Sequence, residues 1–331
     1  MFSQLPRKRR GPLLFLAAIA IGFVAALLQV VPVTSQAVTL RALRVDRPIS
    51  QSDPWAAIWD DAAAQQVPLS AQNIAPPFGG GTVSTLTVRA LHDGDSMYLL
   101  LEWADDDVND AVNSVEQFTD AAAVQFPGVR GAPTPLFMMG SAGSPVNIWQ
   151  WRAVSQADID RGFATSATRY PNTYSDGYPN ADDPLYQTAL AAGNPMAQRD
   201  HQSPVENLIA EGFGTLTHAD GQDVGGAGAW QDGRWRALFV RAMKPAADGL
   251  ASFAVNETTS IAFAVWDGGE QDRNGQKSIA PWINLDVTAA VAERGGEGST
   301  GRVVAFVIVV LILGALAGAY VYEVRRQRAA A

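Results

Sequence analysis

Residues 84–103 read STLTVRALHDGDSMYLLLEW and decide the fold class. Polar and apolar residues alternate over 84–91, which is the period of a half-buried β-strand. A second apolar run over 96–103 follows the turn-forming segment His92–Asp95. The two runs therefore predict a β-hairpin.

Similar short runs of aromatic and β-branched residues recur along the chain, separated by Gly, Asn, Asp and Pro. We predict strands over 121–126, 145–153, 234–242, 259–266 and 282–287. This spacing predicts a mainly β domain, built as a β-sandwich of the immunoglobulin-like or jelly-roll type. Residues 155–200 are rich in Gly, Asn, Asp, Pro and Tyr, and we interpret them as a long loop insertion.

Uncharged apolar segments flank this domain at 11–33 and 303–322. Each is long enough to cross a hydrocarbon core of roughly 30 Å as a helix, which argues against both a wholly soluble protein and a multi-span transporter. Basic tails over 1–10 and 323–331 favour cytoplasmic termini. We thus expect a cell-membrane protein with an extracytoplasmic (periplasmic) domain over 34–298. The alternative for 11–33 is a cleavable signal peptide, which also exports the domain.

Composition excludes several classes of function. The 33 acidic residues exceed the 24 basic ones, so nucleic acid is not an expected partner; a basic soluble cytochrome could be steered to this surface, although acidity also simply favours solubility. The chain has no cysteine, which excludes disulfides, cysteine-ligated iron–sulfur clusters and covalent haem attachment. No phosphate-loop, nucleophile-elbow or paired-carboxylate pattern occurs, so we predict no catalytic residues.

Two features offer ligands for a soft metal or a haem iron. Met138 and Met139 lie in the segment FMMG, where a thioether could bind metal or simply fill a gap in the core. Lys277 precedes an apolar segment, and a desolvated lysine loses its proton readily; a surface lysine is the alternative. Lys244 is the other lysine of the domain.

An acidic run offers oxygen ligands of a different kind. Asp105, Asp106 and Asp107 are followed by Asn109 and Asp110, and such oxygens could hold calcium. The spacing does not fit an EF-hand loop, so we favour a solvated loop at a strand end.

A series of segments carries a family resemblance, in the order SDPW (52–55), VRALHDG (88–94), YLLLEWAD (98–105), FMMG (137–140), PVNIWQWRA (145–153), SPVEN (203–207), AEGFGTLT (210–217), DGRW (232–235), IAFAVWDG (261–268) and NGQKS (274–278). It resembles the haem b-binding gamma subunit of ethylbenzene dehydrogenase and its relatives. Those proteins are cytochrome subunits of type II dimethyl sulfoxide reductase-family molybdoenzymes. Apolar segments at both ends would make this chain a membrane-anchored variant.

The resemblance implies a β-sandwich that holds haem b non-covalently between a methionine and a lysine. Carried over, the iron ligands are Met139, with Met138 in reserve, and Lys277, with Lys244 in reserve. We expect Trp149 and Trp151 to contact the cofactor.

The implied function is the relay of single electrons, without catalysis. The electrons would pass between a molybdenum/iron–sulfur oxidoreductase, or a quinol-oxidising respiratory complex, and a downstream cytochrome or quinone pool. The implied partners are a molybdopterin catalytic subunit with an iron–sulfur subunit, or a membrane cytochrome complex, together with the lipid bilayer.

Two alternatives remain open. A carbohydrate-binding β-sandwich without haem could present Trp149, Trp151 and the tyrosines of 170–178 to a sugar. A structural scaffold could retain the fold with a degenerate haem pocket.

Overall fold

A computed structural model of the chain describes residues 38–292, except 132, 137–138, 166–167, 169, 173–188, 190–191, 193–199, 246 and 248, together with residue 326. The chain divides at Val38, and the description below concerns the unit that begins at Thr39. The apolar segments 11–33 and 303–322 lie outside the described residues, as does most of the 155–200 insertion. Among the helices that are described, none has the length and apolar character needed to cross a membrane.

The described residues are mainly β, as predicted. The strands are β1 (Thr39–Arg44), β2 (Gln65–Pro68), β3 (Ser70–Ala71), β4 (Thr85–His92), β5 (Ser96–Ala104), β6 (Ala121–Pro127), β7 (Val146–Arg152), β8 (Val205–Ala210), β9 (Thr217–His218), β10 (Gly225–Gln231), β11 (Arg234–Ala242), β12 (Glu257–Trp266), β13 (Ser278–Ile279) and β14 (Ile283–Val291). A 3₁₀ helix spans Ala57–Asp61, and helix α1 spans Ala153–Arg161.

The predicted hairpin over residues 84–103 is present. β4 and β5 pair antiparallel, with His92 opposite Met97 next to the turn. Asp93 caps this turn, because its carboxylate accepts hydrogen bonds from the backbone N–H groups of Asp95 and Ser96 at 2.9 and 2.7 Å. β5 also pairs with β11 over its whole length, so it is a central strand. Its residues 97–101 are all buried, so both faces of this strand are covered.

Hydrogen bonds join the strands into a single sheet in the order β10-β11-β5-β4-β1-β14-β12-β6-β7-β8-β9. β12 makes this continuity possible because it is long. Its first half pairs with β14, and its second half pairs with β6. The immunoglobulin-like or jelly-roll assignment of this mainly β fold stays a prediction.

Indole rings pack together between strands from opposite ends of the sheet, β5 and β11 at one end and β7 at the other. The Trp151 ring on β7 lies 5.0 Å from that of Trp235 on β11 and 6.1 Å from that of Trp103 on β5. Trp103 and Trp151 are fully buried. Burial of aromatic rings of this size is a main source of stability for a domain that has no disulfides.

Glycine in β10 allows the close approach of these two ends. A Cβ atom on Gly228 would lie 2.0 Å from the indole of Trp151 on β7, and one on Gly226 would lie 2.7 Å from the side chain of Val205 on β8. Glycine normally weakens a strand, but it permits such contact between a backbone and a large side chain. This is why a segment reading GGAGAWQ forms a strand here.

The variant Gly228→Ala tests this contact. We expect it to lower the free energy of unfolding by roughly 1–3 kcal/mol, because a methyl group would be forced into a filled core. Gly221→Ala is the matched control, since a Cβ atom there meets no neighbour within 4 Å. Thermal unfolding followed by circular dichroism would measure both variants, and equal melting temperatures for the two would contradict the packing described.

Candidate functional site

One face of β6, β7 and β12 forms the floor of a cavity of about 630 Å³. Alternate residues of each strand line it, as expected for side chains that project from one face of a sheet. They are Ala121, Ala123 and Gln125 of β6, Ile148, Gln150 and Arg152 of β7, and Ala262, Ala264 and Trp266 of β12.

The floor of the cavity is nearly flat because its central side chains are small. Ala264 lies opposite Ala123 in the β12–β6 pair, and Ala123 lies opposite Gln150 in the β6–β7 pair. Ala121 and Ala262 extend the same surface. A row of alanines leaves an apolar, nearly flat wall that other side chains do not fill.

Loops from distant parts of the chain enclose the cavity above this floor. Residues 72–77, 117–119, 213–216 and 272–277 contribute to its lining. Gln72, only 4% exposed, joins two of these loops. Its amide nitrogen lies 2.7 Å from the carbonyl oxygen of Ala75 and 3.0 Å from that of Gly275, and its amide oxygen accepts a hydrogen bond from the backbone N–H of Ala75.

Met139 lies on the cavity wall with its backbone held on both sides. Its carbonyl oxygen accepts a hydrogen bond of 2.8 Å from the Gly212 N–H, and the next N–H, that of Gly140, donates to Leu136 at 3.0 Å. Its φ of 70° is uncommon for a residue with a side chain. The side chain packs against a buried cluster that contains Ile148 and Trp266.

Lys277 lines the same cavity. Its backbone is fixed between two segments, since its N–H donates to the carbonyl of Gly79 at 3.2 Å and its carbonyl accepts from the N–H of Gln72 at 3.0 Å. The Nζ atom lies 4.7 Å from the ring centroid of Trp266. The structure therefore brings Met139 and Lys277 to one cavity.

The environment of the Lys277 amine is apolar. No carboxylate among the described residues forms an ion pair with it, and Trp266 is the aromatic neighbour that its Nζ contacts. Burial lowers the pKa of Lys277 to about 8, because desolvation penalises the ammonium form. A larger fraction of the Lys277 side chain is therefore in the neutral amine form than for a surface lysine at the same pH.

Other charged groups of the lining are already partnered. Arg152 pairs with Glu206 at 2.8 Å, and the guanidinium of Arg273 lies 4.7 Å from the ring centroid of Phe118. Asp272 is 2% exposed, and burial raises its pKa. The cavity thus combines an apolar floor with a few charged groups.

The reserve ligands fall elsewhere. Met138 lies outside the described residues. Lys244 is exposed in the segment after β11 and does not line the cavity.

Trp149 and Trp151, which we predicted to contact the cofactor, do not line this cavity. Both project from the face of β7 opposite to Ile148 and Gln150, and both are 0% exposed. The Trp149 ring lies 4.8 Å from that of Phe126, and the Arg241 guanidinium lies 4.6 Å from it. The two indoles belong to the core.

Several contributors were not predicted from sequence. Trp266, Gln72 and the floor alanines carry no motif that distinguishes them from ordinary core residues. The only sequence signal for the floor is the alternation of alanine in AAAVQF (121–126) and IAFAVW (261–266).

The sequence of this chain is similar to those of a known protein family. The model of the family described as "Ethylbenzene dehydrogenase" matches residues 56–278, more than half of the 331-residue chain. The chain belongs to the ethylbenzene dehydrogenase family. The resemblance found in the sequence is thereby confirmed, and the matched range includes both Met139 and Lys277.

Two relatives extend the comparison. The chain is 28% identical over 273 residues to a protein of Haloferax mediterranei named "Putative respiratory nitrate reductase heme subunit ORF7", covering 81% of each. It is 28% identical over 237 residues to the chlorate reductase subunit gamma of Ideonella dechloratans, covering 71% of this chain and 79% of that one.

Among solved structures, a family 9 carbohydrate-binding module of Caldicellulosiruptor kristjanssonii in complex with glucose is 10% identical, with a TM-score of 0.30. The match covers 78% of this chain and 88% of the module.

The variant Gln72→Met tests whether this side chain holds the cavity loops. We expect a loss of about 1–3 kcal/mol in the free energy of unfolding, because several buried backbone groups lose their partner. Gln66→Met is the control, since Gln66 is an exposed glutamine of neighbouring β2. Chemical denaturation would measure both, and an unchanged midpoint for Gln72→Met would contradict the role assigned to it.

Proposed function

We propose that this chain is a haem b-binding electron-transfer subunit, with the cofactor held in the cavity between Met139 and Lys277. The observation that carries the proposal is that both side chains line one cavity, although they lie far apart in the sequence. Methionine is a known ligand of haem iron, and a neutral amine also has a lone pair to donate to iron. This pair of ligands therefore suits a chain without cysteine.

The dimensions and lining of the cavity support this assignment. Its volume of about 630 Å³ falls within the roughly 300–1,000 Å³ typical of cofactor-sized sites. The alanine floor gives a planar ring system a flat apolar surface to rest on. Polar atoms are concentrated in the enclosing loops and at Arg152 and Gln150, as a cofactor with an apolar body and a charged edge requires.

Lys277 suits iron ligation because its amine has no competing carboxylate. Metal binding requires loss of the ammonium proton, and burial already favours the neutral form. The hydrogen bonds at its backbone, to Gly79 and Gln72, fix the point from which the side chain extends.

Met139 would supply a thioether ligand, which carries no charge and loses no proton on binding iron. Its fixed backbone and its packing against the cluster around Trp266 orient the thioether without charge. When bound, haem b supplies exchange of a single electron at iron, and a methionine ligand raises the reduction potential relative to more basic ligands. If Met139 and Lys277 both bound the iron, the protein would leave no coordination position for a substrate, in keeping with a role without catalysis.

Arg273 offers positive charge to the acidic edge of the cofactor. It lies four residues before Lys277 and lines the same cavity, and it forms no ion pair with a carboxylate of the described residues, whereas Arg152 pairs with Glu206. Guanidinium groups bind carboxylates through charge-assisted hydrogen bonds. We assign the propionate side of the cavity to Arg273.

The names of the relatives support a place in a respiratory oxidoreductase. We propose that the partner is a molybdopterin catalytic subunit with its iron–sulfur subunit, or a membrane cytochrome complex. We further propose that apolar segments 11–33 and 303–322 anchor the chain in the membrane with the domain over 34–298 outside the cytoplasm. Electrons would then pass to a downstream cytochrome or to the quinone pool.

The variants Met139→Leu and Lys277→Leu test the axial ligands. In the purified full chain loaded with haem b, we expect each to convert the six-coordinate low-spin absorption spectrum to a mixed or high-spin spectrum. Met139→Leu should also lower the reduction potential, because the thioether stabilises ferrous iron.

Two exchanges away from the cavity serve as controls. Lys244→Leu removes an exposed lysine, and Met97→Leu replaces a methionine that is 0% exposed in β5; both should leave the spectrum unchanged. A wild-type spectrum in Met139→Leu or Lys277→Leu would contradict the assignment of that ligand.

A further inference from the structure

Three carboxylates from distant parts of the chain converge beside the cavity. Asp105 follows β5, Asp120 precedes β6 and Asp267 follows β12. Each offers an oxygen atom, and these atoms lie within 4.8 Å of one another. Asp105 is 6% exposed and Asp120 is 0% exposed. Asp106 and Asp107 are exposed, as the sequence predicted for this loop, whereas Asp105 is buried.

The three charges are not balanced by nearby cations. In the part of the chain that the structure describes, no Lys, Arg or His forms an ion pair with any of them. Concentrating negative charge in this way is unfavourable, and either protonation of a carboxylate or a bound cation relieves it.

Neutral donors satisfy part of the cluster. Asp120 accepts hydrogen bonds from the Gly268 N–H, the Asn109 N–H and the indole N–H of Trp235, at 2.9, 2.7 and 2.9 Å. Asp267 accepts one from the Glu270 N–H at 3.1 Å. These bonds fix the two carboxylates in place, so their oxygens are positioned before any ligand arrives.

Two further oxygens at this point are buried without a hydrogen-bond partner. They are Oδ2 of Asp105 and Oδ1 of Asn109. An acceptor buried in this state costs about 1–3 kcal/mol, and each such atom in a native fold requires an explanation. Both belong to segments that the fold directs toward the same cluster.

Gly269 leaves space next to Oδ1 of Asn109 and Oδ1 of Asp267 because it has no side chain. A Cβ atom on it would lie 3.0 Å from Oδ1 of Asn109 and 3.2 Å from Oδ1 of Asp267. These two oxygens therefore face a common point, which a side chain at position 269 would occupy.

We infer that Asp105, Asn109, Asp120 and Asp267 form a binding site for a hard divalent cation of the calcium type. All four offer oxygen, the donor that hard cations prefer. Oxygens on opposite sides of a calcium ion lie up to about 5 Å apart, whereas those around magnesium are limited to about 4.2 Å. Separations of no more than 4.8 Å are compatible with a calcium ion, and the absence of nitrogen and sulfur donors disfavours zinc.

Such an ion would tie together the elements that frame the cavity. Ala121 and Thr119 on either side of Asp120 line it, as does Trp266 next to Asp267. The cation would hold the ends of β5, β6 and β12 in fixed relation. This site goes beyond the proposed haem function and does not depend on it.

Calcium binding by the purified full chain tests the inference. After treatment with a chelator, isothermal titration with Ca²⁺ should show one site per chain, and the melting temperature should rise in Ca²⁺. Asp105→Asn and Asp267→Asn should each weaken binding by at least about tenfold, since affinity depends on the number of charged ligands. Both variants preserve side-chain shape, and removal of one crowded charge should leave the fold intact without the ion.

Asp106→Asn is the matched control, because Asp106 neighbours the cluster in sequence but is exposed; it should bind Ca²⁺ like the wild type. Absence of Ca²⁺ binding in the wild type would overturn the inference. So would wild-type affinity in both Asp105→Asn and Asp267→Asn, or a loss in Asp106→Asn equal to theirs. The haem spectrum reports separately on Met139 and Lys277, so a failure here is distinguishable from a failure of the proposed function.

Discussion

The small side chains on one face of β6 and β12 are the constraint on which the candidate site depends. Ala121, Ala123, Ala262 and Ala264 keep the floor flat, whereas the other face of the neighbouring strand β7 carries Trp149 and Trp151. Large rings fill the core on one side of the sheet, and alanines leave a cavity on the other. Replacing any floor alanine with a larger residue would fill part of the cavity that Met139 and Lys277 line.

The enclosing loops convert this floor into a specific site. Gln72 links the loop 72–77 to the hairpin that bears Lys277, and a Cβ atom on Gly80 would lie 2.2 Å from the Lys277 backbone nitrogen. Position 80 also has a φ of 75°, which favours glycine. The lysine is therefore held by backbone contacts, and its amine reaches an apolar wall without a counter-ion.

Local patterns predicted local structure well. The alternation over 84–91 and the turn at 92–95 predicted the β4–β5 hairpin, and aromatic runs predicted β6, β7, β11, β12 and β14. β8 and β10 were missed because VENLIA carries polar residues and GGAGAWQ is rich in glycine. Those strands form because of tertiary neighbours, which a single sequence does not reveal.

Sites that join distant segments were harder to predict. The pairing of Met139 with Lys277 came from family resemblance, and spacing alone left both as ordinary residues. Period-two alternation correctly places Trp149 and Trp151 on one face of a strand, but it does not say which face meets the cavity. The acidic run at 105–107 was visible, whereas its partners Asp120 and Asp267 approach only through the order of strands in the sheet.

An experimental structure of the haem-loaded full chain would test the central claim most directly. Our account predicts the porphyrin against the alanine floor, with iron bonded to Sδ of Met139 on one side and Nζ of Lys277 on the other. Iron bound by any other pair of side chains, or a porphyrin outside this cavity, would contradict it.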